Sequence, residues 1–300
     1  MTRSATATRS DPRRAGAARS RRRRSRPPRR HRPLAWFLAA LVVAGAVGGG
    51  AAAVSSLLGH ATVNSSCTVT SSAQGTTYRL APDQAQDAAI IAAVGGRMGL
   101  PDHAVTVALA TALQESKLRN LPYGDLDSVG LFQQRPSQGW GTRAQLLDPV
   151  QAATAFYARL TQITGWETMA VADAGQAVQQ SADGSAYAQW ESEARAFAVA
   201  LTGEAPAAFT CRLAGFAGAA PLPGALAAAA PGELGRAATG AQASTKEGWA
   251  AAYWIVAHAW QYHVHQVGFA GWRWTSSSGR WSRTSGSGAG AADPSVVTFG

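Results

Sequence analysis

Cysteine is scarce in this sequence, and so are the short motifs that commonly bind metal ions. Only two cysteines occur among 300 residues, and neither an HExxH nor a CxxC motif is present. Two cysteines cannot supply a structural zinc site. The histidines His258, His263 and His265 have no paired carboxylate beside them, so we expect no metal site and no cofactor.

Positive charge is also scarce once the first 33 residues are set aside. Those residues hold 13 Arg against one acid, Asp11, whereas the other 267 residues carry 14 basic and 16 acidic side chains. The net charge of +10 therefore divides into a tail of +12 and a remainder of −2. We expect the tail to be disordered and to act as a topology signal, and we expect no nucleic-acid partner. Because 46% of the chain is apolar, disorder of the whole chain is excluded.

Charge is absent from residues 34–58, a run of 25 residues. A helix of that length crosses the hydrocarbon layer of a membrane, which is about 30 Å thick. The arginines before this run favour a cytoplasmic N-terminus and an outward-facing C-terminal part. We therefore expect a single-pass cell-membrane protein that contacts lipid through residues 34–58. A cleaved signal peptide, cut near residues 51–53, is the alternative.

The two cysteines, Cys67 and Cys211, both follow the apolar run and are expected in an oxidising compartment. An even pair in that setting predicts a disulfide. The closed loop is roughly 145 residues long, and loop entropy gives such a closure about 4 to 5 kcal/mol of stabilisation.

Apolar residues recur at helical spacing in several segments of the outward-facing part. The segments begin near residues 82, 101, 148, 186 and 247. The second segment places Ala104, Ala108, Ala112 and Glu115 on one helix face. A carboxylate at the end of a face of small residues is the feature that requires explanation.

Glu115 also lies in a recognisable sequence pattern. Gln114-Glu115-Ser116 ends the second helix, and Ser-Val-Gly-Leu-Phe-Gln follows after a turn, at residues 128–133. This ordered pair resembles the lysozyme-like superfamily, in particular the soluble lytic transglycosylases. The helix that opens at Asp148-Pro149 is similar to the next element of that family, and the resemblance covers about residues 82–202.

The resemblance implies that Glu115 is the catalytic acid of a glycosidase. It also implies that Ser128, Gln133, Gln134, Tyr157 and Tyr187 bind substrate or shape the cleft, although Tyr157 is equally compatible with a place in the core. A carboxylic acid can protonate a departing oxygen near neutral pH only if apolar surroundings raise its pKa.

The fate of the cleaved sugar depends on whether a second carboxylate takes part. In the transglycosylases, the same Glu then acts as a base on the sugar's own hydroxyl. A hydrolase usually needs a second acid, for which Asp125 and Asp127 are the candidates. The alternative is that both are ordinary turn residues of a Gly-Asp-Leu-Asp-Ser loop.

The C-terminal tail has a fainter resemblance. Gly248-Trp249, residues 256–259, residues 272–274 and the closing residues 296–299 resemble a wall-associated domain related to D-Ala-D-Ala metallopeptidases. That family carries histidine zinc ligands on its closing strand, and residues 294–299 have none. The resemblance therefore implies a binding or packing module without metal.

These observations predict a mainly α fold. We expect a lysozyme-like helical domain with a small hairpin or irregular insertion, one transmembrane helix before it and a small α+β module after it. The expected boundaries are a basic tail at 1–33, the membrane helix at 34–58, a spacer at 59–81, the lysozyme-like domain at 82–212, an Ala/Gly/Pro linker at 213–245 and the α+β module at 246–300.

The expected function is that of a membrane-tethered, outward-facing enzyme that cleaves the glycan strand of peptidoglycan, either as a lytic transglycosylase or as a muramidase. Its expected partner is peptidoglycan. The alternative is a non-catalytic protein that binds the cell wall or acts as a scaffold while retaining the lysozyme-like fold.

Overall fold

The computed structural model describes residues 65–180, 184–215, 218–284, 293 and 295–300. The chain divides into two units, Met1–Ala53 and Val54–Gly300. Every described residue belongs to the second unit, which also holds the disulfide and the hydrophobic core. This unit therefore contains what a domain needs to fold on its own.

Eight α-helices lie in the described part of the chain. They are α1 (Pro82–Arg97), α2 (Asp102–Ser116), α3 (Arg143–Leu146), α4 (Pro149–Leu160), α5 (Val171–Gln179), α6 (Glu191–Leu201), α7 (Pro223–Leu234) and α8 (Thr245–Tyr262). Short 3-10 helices occupy Pro136–Gln138, Trp166–Thr168 and Gly184–Trp190.

The starts of the helices follow local sequence signals. Asp148 caps α4, because its carboxylate accepts hydrogen bonds from the backbone N–H groups of Val150 and Gln151. Ser244 caps α8 by accepting from the backbone N–H of Glu247 at 3.1 Å. These caps satisfy N–H groups that have no partner inside the helix.

Eight strands in the described ranges form two antiparallel sheets. The first sheet has the order β2-β1-β3 and contains β1 (Ser66–Thr70), β2 (Thr77–Leu80) and β3 (Phe209–Arg212). The second has the order β4-β8-β5-β6-β7 and contains β4 (Gly240–Ala241), β5 (Gln266–Phe269), β6 (Trp272–Thr275), β7 (Arg280–Arg283) and β8 (Val296–Phe299).

The disulfide predicted from the sequence is confirmed. Cys67 on β1 lies directly opposite Cys211 on β3, and their sulfur atoms are bonded. Both cysteines are fully buried. The first strand is thus fixed to a strand that follows it by 144 residues.

One hydrophobic core extends through both the helices and the sheets. Helix α2 is central, because its residues from Ala104 to Leu113 are all buried and it packs against α6, α5 and α1. Helix α8 packs along α1 on one side and against β5 and β8 on the other. Residues 246–300 therefore share the core of the preceding helices.

The expectation of a mainly α fold with an appended α+β module is wrong. About 49% of the structure is helical and 15% is in strands, and the strands form two antiparallel sheets. Residues 66–70 and 77–80, expected in a spacer, are strands, because they pair with each other and residues 66–70 also pair with β3 from far along the chain. Residues 213–245, expected to be a linker, contain α7 and β4.

The expected membrane helix at 34–58 and the basic tail at 1–33 lie outside the described residues. Within the described ranges, no helix combines the length and the apolar character needed to cross a membrane.

Candidate functional site around Glu115

Glu115 lies in the last turn of α2, at the point where this buried helix reaches the surface. The helix ends at Ser116, and the next two residues, Lys117 and Leu118, adopt left-handed conformations with φ of 56° and 55°. Leu118 is fully buried, so the chain turns back toward the core immediately after the helix. The Glu115 side chain is half-buried as a result.

Ser116 attaches the end of this helix to the Gly-Leu-Phe-Gln loop. Its hydroxyl lies 2.7 Å from the backbone carbonyl of Leu131 and accepts a hydrogen bond from the backbone N–H of Arg119 at 3.2 Å. Both the hydroxyl and Leu131 are buried. The two halves of the sequence pattern, Glu-Ser and Gly-Leu-Phe-Gln, therefore meet through a direct contact.

Two side chains from later in the chain hydrogen-bond to the Glu115 carboxyl. Tyr187, in the 3-10 helix Gly184–Trp190, donates its hydroxyl to Oε1 of Glu115 at 2.7 Å. Gln179, at the end of α5, also hydrogen-bonds to Glu115 and donates to the carbonyl of Phe132 at 2.7 Å. Tyr187 is 2% exposed, so it supports the carboxyl from the interior.

The surroundings of Glu115 raise its pKa above the ordinary value. Burial is the largest cause, because it removes water from the charged form. The hydrogen bonds from Tyr187 and Gln179 and the charge of Lys117 favour the carboxylate and oppose this effect. The pKa is nevertheless raised, which is the direction that a general acid needs near neutral pH.

Lys117 is held close to this carboxyl by an aromatic ring. Its ammonium group lies 4.1 Å from the ring centroid of Trp190. The indole N–H of Trp190 in turn donates to Oε1 of Gln114 at 2.7 Å. This cluster was not predicted from the sequence, because Trp190 falls inside the helical segment expected to begin near residue 186, whereas α6 begins only at Glu191.

The loop that Ser116 contacts has a defined backbone shape. Val129 and Gln134 form an isolated antiparallel bridge, with Gly130 at φ 79° between them. A Cβ at Gly130 would lie 2.2 Å from the carbonyl oxygen of Leu146, so only glycine fits. The ring of Phe132 is fully buried and stacks on Phe156 with centroids 4.6 Å apart.

The predicted substrate-binding residues of this loop differ in exposure. Gln133 is half-buried, and its amide donates to the carbonyls of Gly130 at 3.2 Å and Tyr123 at 3.3 Å. Gln134 is 1% exposed and donates to the carbonyl of Ala152. Ser128 is 7% exposed, and its backbone N–H bonds to the carbonyl of Asp125. Of these three side chains, Gln133 is the one that reaches the surface.

An exposed aromatic residue of this loop was not among the predicted site residues. Tyr123 is 69% exposed, and its carbonyl accepts from the Gln133 side chain. Leu126, three residues later, is 75% exposed. An aromatic ring in a turn rich in Gly and Asp is the sequence signal that could have indicated it.

The two candidate second acids have different environments. Asp127 accepts hydrogen bonds from Arg135 at 2.8 Å and from the backbone N–H and hydroxyl of Ser137. These contacts, with Arg135 first, lower the pKa of Asp127 to about 2. The carboxyl group is therefore ionised, and its hydrogen bonds hold the loop in place. Asp125 is exposed.

Tyr157 lies in the core, away from the surface. It is fully buried, and its hydroxyl donates to the carbonyl of Ile91 at 3.0 Å. Burial raises its pKa. The structure thus joins Glu115, Tyr187 and the residues around Gln133 in one place and leaves Tyr157 outside it.

Within the part of the chain that the structure describes, no group of three or more His, Cys, Asp and Glu side chains is arranged to hold a metal ion. No protein-family model matches the chain. No curated protein matches it significantly either.

Proposed function

We propose that this protein cleaves the glycan strand of peptidoglycan and that Glu115 is the proton donor. The observation that carries this proposal is the half-buried Glu115 carboxyl, which has a raised pKa and is held by Tyr187 at 2.7 Å. Gln179 links it to the carbonyl of Phe132, the residue before Gln133. The resemblance of residues 114–116 and 128–133 to lytic transglycosylases supplies the substrate class.

Glu115 acts first as an acid. Its protonated carboxyl gives a proton to the glycosidic oxygen as the bond from that oxygen to the sugar carbon breaks. The hydrogen bond from Tyr187 to Oε1 fixes the direction of the carboxyl and stabilises the carboxylate that remains. Lys117 favours the same charged product.

The cationic sugar is then captured by an oxygen nucleophile. The sugar's own hydroxyl can attack the carbon, and the Glu115 carboxylate takes the released proton, which yields an anhydro sugar. This route uses one carboxylate twice. Because Asp127 is ionised and committed to Arg135 and Ser137, the site favours this route over one that needs a second free acid.

The exposed ring of Tyr123 gives the proposed sugar a surface to stack on, next to the Gln133 amide. An aromatic ring that is exposed to water can stack on the apolar face of a sugar. The side-chain oxygen of Gln133 accepts hydrogen bonds from hydroxyl or N-acetyl N–H groups, because its amide nitrogen already donates to Gly130 and Tyr123.

The test uses the unit Val54–Gly300 and purified peptidoglycan, with products separated and identified by mass spectrometry. We expect soluble fragments with anhydro ends from the wild type and none from Glu115→Gln, which keeps the shape of the side chain. The matched control is Glu191→Gln, the same change in an exposed pair with Arg195 on α6, and it should retain activity.

Two other outcomes are informative. Fragments with ordinary reducing ends would contradict capture by the sugar's own hydroxyl. Equal release by wild type and Glu115→Gln, or no release with intact binding to the wall, would overturn the catalytic proposal and leave wall binding as the function.

A further inference from the structure

A second surface, remote in sequence from Glu115, carries four exposed arginines on strands. We define the arginine surface as Arg79 on β2, Arg212 on β3, Arg273 on β6 and Arg280 on β7. We propose that this surface binds a linear phosphodiester polymer that lacks nucleobases. The proposal goes beyond the function assigned to Glu115 and does not depend on it.

Strand alternation places two of the arginines on the outer face of the second sheet. On β6, Trp274 is fully buried, so Arg273 and Thr275 lie on the opposite face. Arg280 lies directly opposite Thr275 in the antiparallel register and is diagonal to Arg273. Diagonal neighbours on one face of an antiparallel pair are about 7 to 8 Å apart, within the reach of long side chains.

The first sheet repeats this arrangement. Cys67 and Cys211 point into the core, so their neighbours Ser66 and Arg212, which lie opposite each other, are on the outer face. Arg79 lies opposite Thr68 on the same face and donates a hydrogen bond to the hydroxyl of Ser66. Arg79 and Arg212 therefore flank one serine.

The two arginine pairs meet at the turn between β6 and β7. A Cβ at Gly279 would lie 2.5 Å from Cβ of Arg212, so this turn lies directly against that residue. Gly279 immediately precedes Arg280. The hydroxyl of Thr210 donates to the Gly279 carbonyl at 2.8 Å, and Leu213 donates to the Ser276 carbonyl at 2.8 Å. The arginine surface thus continues from one sheet to the other.

This surface differs in charge from the rest of the unit. Residues 34–300 have a balance of −2, yet the seven longer strands contain no Asp or Glu. The outward neighbours of the four arginines are hydroxyl or amide side chains, namely Ser66, Thr68, Thr210, Gln266, Thr275, Ser282 and Thr298.

Four other arginines of the described part form ion pairs, whereas the four of the surface do not. Arg119, Arg135, Arg195 and Arg236 each form an ion pair with a carboxylate. Arg97, Arg143, Arg159 and Arg283 also have no carboxylate partner there, but they contact backbone carbonyls or aromatic rings. Among the described carboxylates, none lies within ion-pairing distance of the four arginines of the surface. Their positive charge is therefore not neutralised by the described fold, and a polyanion complements it.

The chemistry of the surface favours phosphate over nucleobases. A guanidinium group donates two parallel hydrogen bonds to a phosphate, and neighbouring hydroxyls add single donors. Binding of single-stranded nucleic acid usually also uses exposed aromatic rings on which bases stack. Here Trp274 faces the core, and Trp281 packs edge-on against Trp249 with centroids 5.1 Å apart.

The test measures binding of purified poly(glycerol phosphate) over a range of salt concentrations. The unit Val54–Gly300 is used beside the full chain, because the full chain adds 13 tail arginines. For the double variant Arg273→Gln/Arg280→Gln we expect weaker binding. Its log-log salt slope should be smaller by about 1.4, the value for two contacts to a flexible phosphate strand.

The control is Arg195→Gln, which removes one positive charge from an exposed position on α6, half the charge that the double variant removes. It should leave the affinity and the salt slope of the unit unchanged, and so should Glu115→Gln. Circular dichroism verifies that each variant is folded.

Equal weakening by Arg195→Gln and the double variant would show nonspecific charge attraction and overturn the proposal. Unchanged binding by a folded double variant would overturn it as well. Single-stranded DNA with the same number of phosphates should bind no more tightly than poly(glycerol phosphate). DNA binding more than about tenfold tighter would assign the surface to nucleic acid instead.

Discussion

Replacing Asp87 by Asn should remove a large part of the pH dependence of stability. Asp87 lies on α1 and is half-buried. Burial, followed by the nearby charge of Asp83, raises its pKa from the ordinary value of 3.8 to about 7, although the backbone N–H of Asn120 donates to it. The carboxyl is therefore harder to ionise in the folded protein than in the unfolded chain.

The direction in which stability changes with pH follows from the protons that the folded and unfolded states bind. Between about pH 4 and pH 7, folded Asp87 holds its proton while the unfolded chain has lost it, so stability falls as the pH rises through this window. A tenfold change in proton affinity corresponds to about 1.4 kcal/mol, which gives an upper bound of roughly 4 kcal/mol. Because the side chain retains some contact with water, we expect about 2 to 4 kcal/mol.

Asn has the shape of the protonated carboxyl, and its oxygen can still accept the hydrogen bond from Asn120. Asp87→Asn should thus match the wild type near pH 4 and exceed its free energy of unfolding by that amount at pH 8. Urea unfolding followed by tryptophan fluorescence measures both values. Identical pH dependence in the two proteins, or a variant less stable than wild type at pH 8, would refute the reasoning.

Two further predictions concern the Glu115 site. Tyr187→Phe removes a hydrogen bond that favours the Glu115 carboxylate, so the pKa of Glu115 should rise further and stability should fall by about 1 kcal/mol. Carbon-13 NMR titration of the Glu115 carboxyl measures the pKa without any assumption about activity, and a lower pKa would contradict the prediction. Gly130→Ala should cost more than about 2 kcal/mol, because it combines φ 79° with a clash against the Leu146 carbonyl. The matched control is Gly75→Ala, at φ 66° in open space, which should cost about 1 kcal/mol. Equal losses of stability for the two variants in urea unfolding would contradict the prediction.

Local signals in the sequence were sufficient to predict several helices. The spacing of apolar residues predicted a helix that begins near residue 101 and ends with Gln114-Glu115-Ser116, and α2 spans Asp102–Ser116. Asp148-Pro149 predicted the start of α4 and proved to be its cap. These signals work because capping and helical periodicity act over a few residues.

The first sheet was missed because its third strand lies far from the other two in the sequence. Residues 66–70 alternate between outward hydroxyls and the buried Cys67 and Val69, but the strand that completes them begins at Phe209. In the second sheet, β5 and β6 form a hairpin that turns at Ala270 and Gly271, whose φ angles are 49° and 75°. A short polar strand is recognisable from sequence only when its partner is known.

The segments that form the site were predictable from the sequence, but the side chains that support Glu115 were not. Glu115 and Gln133 were expected near each other, and their segments are joined through the Ser116 contact to Leu131. Tyr187 was expected as a substrate contact, whereas the structure has it donating to Glu115 from a buried position. The spacing of residues indicates which segments meet and does not indicate which side chain faces water.

The bond between Cys67 and Cys211 also determines how the protein would transmit mechanical force. Any tension applied through the chain before Ser65 reaches Cys67 two residues later, crosses the covalent bond and leaves through Cys211 toward the C-terminus. The backbone of the 143 residues between the cysteines, including Glu115, is bypassed by this covalent path. Pulling the oxidised protein by its two ends would therefore extend the backbone of residues 212–300, whereas the backbone between the two cysteines is extended only after a reductant has opened the bond.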